Sequence, residues 1–154
     1  VTGEAFSVLG KDMENYAYRD MWAGPPDYNG TYDVDDSVTG MIRTEGPVIT
    51  FNGAWAQNIG ENEMYIDFMG DKGGVRLQYC GKYTYYTARD GMLIEEKPDY
   101  RLNGMHHDEV IDFVECVIKG ERNRNDIKYA VGTSKILQAI YDSSASHREV
   151  VIAE

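Results

Sequence analysis

Positive charge is scarce in this chain. Lysine and arginine number 15 against 26 aspartates and glutamates, which leaves a formal net charge of −11. Such a surface repels polyphosphates, so no nucleic-acid partner and no anionic membrane partner is expected. Cysteine is scarcer still, with only Cys80 and Cys116. One falls in a strand-like stretch and the other in a helix-like one, so they read as free thiols in a reducing compartment, and a cytoplasmic location is expected. No apolar run approaches the ~20 residues needed to cross a bilayer, and none has the pattern of a secretory signal. The signatures of familiar chemistry are missing as well. There is no nucleophile elbow, no Ser-His-Asp set and no Rossmann GxGxxG turn, so no catalytic and no cofactor-binding residues are assigned.

What is present is alternation. Between residues 35 and 95, short segments with period two are separated by turn residues, the mark of half-buried antiparallel strands. Val38, Gly40 and Ile42 alternate with Thr39, Met41 and Arg43. Ile49 and Phe51, then Met64, Ile66 and Phe68, then Val75, Leu77 and Tyr79 continue the pattern, with further strands at 82–88 and 92–95 on either side of Asp90-Gly91. One face of this sheet is apolar (Ile42, Phe51, Ile66, Leu77), and the other carries Thr50, Ala54, Tyr65, Met69, Tyr86 and Ala88. An earlier strand is expected at residues 1–9 and a short final one at 149–152.

From about Gly104 the period becomes helical. Val110, Phe113, Val114 and Val117 lie at i, i+3, i+4 and i+7, with Asp108 and Glu109 in the first turn and Gly120 placed as the stop. A second helix is expected from Ile127, capped by Asp126, to about Ser144, with Thr133, Ile136, Leu137, Ile140 and Tyr141 as its apolar stripe. Together these elements predict one α+β domain over residues 1–154. Its architecture would be two-layer: an open, mainly antiparallel sheet with two helices on one face.

Residues 11–33 follow neither period. Pro25, Pro26, Gly24 and Gly30 break them, yet the stretch holds Tyr16, Tyr18, Arg19, Trp22 and Tyr28. A loop of this length is either functional or a surface flap whose aromatics pack on the sheet. As a binding loop it offers Arg19 as a forked donor for a carboxylate or sugar hydroxyls, and Trp22 or Tyr18 as a ring to stack on a sugar. His107 is a further candidate contact. Three other motifs read more plainly. Gly70-Asp71-Lys72-Gly73-Gly74 is flanked by strands and is a hairpin turn rather than a phosphate loop. His106 and His107 with Asp108 and Glu109 point apart by about 100° per residue on a helix, so no metal site is expected. Asn29-Gly30-Thr31 fits a glycosylation sequon but is read as a turn.

Asp112-Phe113-Val114, Ile118-Lys119-Gly120, Gly132, the run 136–143 and Glu149-Val150-Val151-Ile152 resemble the closing signature of the Gfo/Idh/MocA oxidoreductases. Val34-Asp35-Asp36, Ala54-Trp55 and Gly70–Gly74 are similar to that family's sheet, and the likeness extends over about residues 34–152. It implies an N-terminal Rossmann domain, holding NAD or NADP, that is missing from this chain; the chain itself would be the C-terminal, substrate-side and oligomerisation domain. A start already strand-like at Val1 fits a piece cut from a longer protein. The family's catalytic Glu-Lys-Pro belongs to its first domain, whereas Glu96-Lys97-Pro98 follows a late strand here and is a coincidence of sequence. The resemblance implies a sugar, polyol or related hydroxy compound as substrate. It also implies a homo-oligomer formed through the open sheet face, with Tyr65, Tyr86 and Met69 as interface candidates. By itself, the chain would then bind no dinucleotide and be inactive. A stand-alone interaction module using the tyrosine-rich face is the alternative.

Overall fold

The computed structural model describes residues 1–16, 28–59, 63–79, 81–100 and 104–153. In chain order the elements are β1 (Thr2–Phe6), a short 3-10 turn (Leu9–Asp12), β2 (Ser37–Arg43), β3 (Val48–Ala54), β4 (Tyr65–Met69), β5 (Gly74–Gln78), β6 (Tyr83–Arg89), β7 (Met92–Glu96), α1 (Met105–Lys119) and α2 (Ile127–Ser146). The fold is α+β. It has an antiparallel three-stranded sheet in the order β1-β2-β3 and an antiparallel four-stranded sheet in the order β4-β5-β6-β7. The chain divides into two compact units, Val1–Asn58 with Asn125–Glu154, and Ile59–Arg124.

In the first unit, period two becomes a packed face. Val38 pairs with Gly53, Gly40 with Phe51 and Ile42 with Ile49, while Gly3 and Ala5 of β1 lie opposite Gly40 and Val38. Against this face lies α2. Val1, Ala139 and Ile140 are buried, with Val38, Ile42, Phe51, Ile136 and Val150 around them. Two glycines make the approach possible. A Cβ on Gly40 would sit 2.3 Å from the Thr2 carbonyl oxygen and 2.6 Å from Phe51 Cζ, and one on Gly3 would sit 3.0 Å from Ile140 Cγ2.

The same helix closes the sheet's edge. The Gly3 N–H, pointing away from β2, donates to Ser143 Oγ at 3.0 Å, and the Ala5 N–H donates to Ser144 Oγ at 3.1 Å. Ser143 then donates its own proton to the Arg148 carbonyl at 2.7 Å. An edge strand that would otherwise offer open N–H groups to a second chain is satisfied from within. Asp126 caps α2 as expected, accepting from the Lys128 N–H at 2.9 Å. The buried stripe matches the expected one at Ile136 and Ile140 and differs from it elsewhere. Ala139, Ile140 and Ser143 are buried, whereas Leu137 and Tyr141 are 53% and 52% exposed. The face with small residues wins because it lets the helix sit close on a glycine-bearing sheet and places Ser143 at the strand edge. Residues 149–152 form no strand, but Val150 and Val1 exchange two backbone hydrogen bonds, of 2.7 and 2.8 Å.

In the second unit, four strands form a meander. Residues 70–73 make the expected hairpin turn, with the Gly70 N–H donating to the Gly73 carbonyl at 3.0 Å. Asp90 and Gly91 take φ of 53° and 75°, the double positive φ that a two-residue turn between twisted strands requires. Gly120 ends α1 at φ 67°, and Glu121 N–H reaches back to the Cys116 carbonyl at 2.9 Å. No residue of α1 is buried; the stripe Val110, Phe113, Val114 and Val117 is exposed along its length.

Candidate functional site

Of the candidate substrate contacts, Tyr18, Arg19 and Trp22 lie outside the described residues. His107 is in the first turn of α1, exposed, with Nδ1 3.4 Å from Asp108 Oδ1. Among the described residues, no three histidines, cysteines or acids come together as metal ligands would.

What the structure does place is the frame that holds the flanks of that loop, and its centre is Asp36. This carboxylate is 3% exposed. Its Oδ2 accepts from the Val8 N–H at 2.6 Å and the Gly10 N–H at 3.0 Å, and its Oδ1 accepts from the Ser37 hydroxyl at 3.3 Å. Its backbone ties β1 to β3, since the Asp36 N–H donates to the Phe6 carbonyl and the Trp55 N–H donates to the Asp36 carbonyl. Burial pushes the Asp36 carboxyl up, but the amides of Gly10, Val8 and Leu9 and the Ser37 hydroxyl outweigh it and hold the group below the usual carboxylate range.

Three aromatics stand on this frame. Gly10 leaves room for the Tyr32 ring, because a Cβ there would lie 2.0 Å from Tyr32 Cζ. Tyr32 accepts from Trp55 Nε1 at 2.9 Å, and the two rings are 5.8 Å apart. Burial raises the Tyr32 phenol above its ordinary value, and the carboxylates of Asp36 and Asp35 add to this against the Trp55 bond. Tyr16 donates to the Gln57 carbonyl at 2.9 Å and accepts from the Gln57 N–H at 3.0 Å. The chain on either side of residues 17–27 is therefore anchored to the end of β3. Sequence reasoning had not assigned this role to Asp36, Tyr32, Trp55 or Tyr16. Their signal is long-range hydrogen bonding, which no local periodicity carries.

The second unit holds the interface candidates. Met69 pairs with Gly74 and Gly74 with Tyr86, while Tyr65 pairs with Gln78, so Tyr65, Met69 and Tyr86 share one face of the sheet. Met69 is 89% exposed. Between them, Arg76 grips Asp67 with both ends of its fork, Nε to Oδ1 at 2.7 Å and Nη2 to Oδ2 at 2.6 Å. Its Cζ stands 4.3 Å from the centre of the Tyr65 ring. Asp67 holds Arg76 charged above its already high value, and Arg76 in turn lowers the Asp67 carboxyl. Since the fork is spent on Asp67, this arginine orders Tyr65 rather than offering an open anion site. A shallow depression of about 450 Å³ beside it is lined by Asp67, Met69, Arg76 and Tyr86 among others.

The chain is thus an α+β protein with an aromatic loop frame in one unit and a tyrosine-bearing sheet face in the other. No family model matches it, and no curated protein matches it.

Proposed function

We propose that this chain is the C-terminal, substrate-side domain of an NAD(P)-dependent oxidoreductase of the Gfo/Idh/MocA kind, acting on a sugar, polyol or related hydroxy compound. The observation that carries this reading is the residue pattern running through α1 and α2, on an α+β fold of the class that the resemblance implies. In the intact enzyme, hydride would pass between a substrate alcohol carbon and a nicotinamide held by a separate Rossmann domain. The loop at 11–33, anchored through Asp36, Tyr32 and Tyr16, would supply part of the substrate wall. The face bearing Tyr65, Met69 and Tyr86 would join identical copies around a two-fold axis.

The coding sequence upstream of Val1 tests this reading. A strand followed by a glycine-rich turn and a helix is expected there, and a start codon immediately before Val1 would overturn it in favour of a stand-alone module. Calorimetric titration of the chain with NADH and NADPH is expected to show no binding, because its glycine-rich turn links two strands and has no helix N-terminus to hold a pyrophosphate.

A further inference from the structure

The two edges of the three-stranded sheet are treated differently. Serines of α2 close β1, whereas β3 is left open. We propose that β3 pairs antiparallel with β3 of a second copy of this chain, extending the sheet across a two-fold axis. This contact does not rest on the oxidoreductase reading, and it uses a different surface from the face bearing Tyr65.

The direction of each backbone group follows from the ladder. Gly3 and Ala5 turn their N–H groups away from β2, towards Ser143 and Ser144. They are therefore the non-bonded partners of Gly40 and Val38, whose own groups must bond on the other side, to Phe51 and Gly53 of β3. Alternation then sends the N–H and C=O groups of Val48, Thr50, Asn52 and Ala54 outward. Among the described residues none of these groups has a hydrogen-bond partner, and all four residues are exposed. Proteins usually blunt such an edge with lysine, proline, a bulge or a very short strand. β3 has none of these. It runs seven residues in unbroken register with β2 and carries no charge and no proline.

What fits this edge is its own sequence. With two copies antiparallel about Phe51, Thr50 stands opposite Asn52 and Val48 opposite Ala54. All the outward groups then fall in bonded pairs, so each N–H of one copy meets a carbonyl of the other. Thr50 and Asn52 meet as a polar pair on the face away from α2. Val48 and Ile49, 58% and 47% exposed, gain cover. Charge selects the same strand. The chain carries −11, yet β3 contributes nothing to it. The outer strands of the four-stranded sheet are less suited, since β4 would set Asp67 against its own copy and β7 carries Glu95 and Glu96. One strand edge covers less than the ~800 Å² per partner of a stable dimer, so the contact is weak, with a Kd of about 0.1–1 mM.

The test uses the whole chain carrying Tyr65→Glu, which removes the face contact and makes the result independent of it. Amide solvent-exchange rates are read by NMR. Between about 20 μM and about 1 mM, exchange at Thr50 and Asn52 should slow about two- to fivefold, as that Kd dictates. Phe51 and Gly53, whose amides already bond to β2, should not change. Thr50→Pro removes one outward N–H at a position where an edge strand accepts proline, and it should abolish the concentration dependence at Asn52. Asn52→Lys places a charge on the edge and should do the same at Thr50. Rates at Thr50 and Asn52 that do not change with concentration, or a slowing that survives both substitutions, would overturn the assignment.

Discussion

Removing the Ser143 hydroxyl should be among the most costly single-atom changes in the first unit. Ser143 is 1% exposed, and its hydroxyl both accepts from the Gly3 N–H and donates to the Arg148 carbonyl. In Ser143→Ala the buried Gly3 N–H loses its partner in a place where water does not replace it, which costs about 1–3 kcal/mol. Arg148 is exposed, so its carbonyl recovers most of its hydrogen bonding from solvent and adds little. Alanine is the better helix former by about 0.5 kcal/mol, which offsets part of the loss. A net destabilisation of about 2 kcal/mol follows. With a urea dependence of roughly 2 kcal/mol per molar for a chain of this size, the midpoint should fall by about 1 M with an unchanged slope. Trp55 fluorescence reports on the same unit. Hydrogen exchange at the β1 amides adds a local readout, because Gly3 should lose protection before the sheet does. Ser146→Ala, at an exposed position whose hydroxyl only bonds back to its own helix, is the control and should move the midpoint little. A Ser143→Ala midpoint equal to wild type, with Gly3 still protected, would refute the idea that α2 closes this edge.

Four further outcomes are expected. Gly40→Ala forces a Cβ to within 2.3 Å of the Thr2 carbonyl oxygen and should cost about 1–3 kcal/mol or prevent folding, read from the same urea transition. Asp36 has a folded-state pKa below its unfolded value. Its stabilisation is therefore complete above the unfolded carboxylate range and lost as pH falls through the folded value; Asp36→Asn should flatten that acid limb of a stability–pH curve and lower stability at neutral pH. Under the proposed function, Arg19→Ala in a full-length oxidoreductase should reduce kcat/KM far beyond any change in stability, and unchanged kinetics would make residues 11–33 a flap. Light scattering should show a dimer that tightens with salt, since a net charge of −11 opposes association, and Tyr65→Glu or Tyr86→Glu should dissociate it; a wild-type monomer removes the proposed interface.

Legibility follows the range of the interaction. The strands between β2 and β7 could be read from alternation, because a side chain's face is decided by its own backbone parity. The Asp90-Gly91 turn, the Asp126 cap and the Gly120 stop were legible for the same reason, each depending on φ or on a hydrogen bond within a few residues. Even the Asp67–Arg76 pair is half-written in the sequence, since the two stand at equal distances from the Gly70–Gly73 turn that folds β4 onto β5. The stripe that α2 buries was legible in part: Ile136 and Ile140 of the expected set do pack on the sheet, whereas Ala139 and Ser143 were not foreseen. Hydrophobicity also selected Leu137 and Tyr141, which stay exposed, because the surface α2 meets is a strand 140 residues earlier in the chain, with Gly3 bare of a side chain and its N–H directed at Ser143. Asp36 was equally silent. Its carboxylate looks solvated by composition and becomes a buried junction only when residues 8–10 fold back over it, so its part was decided by tertiary structure, where distant amides replace water around a charge.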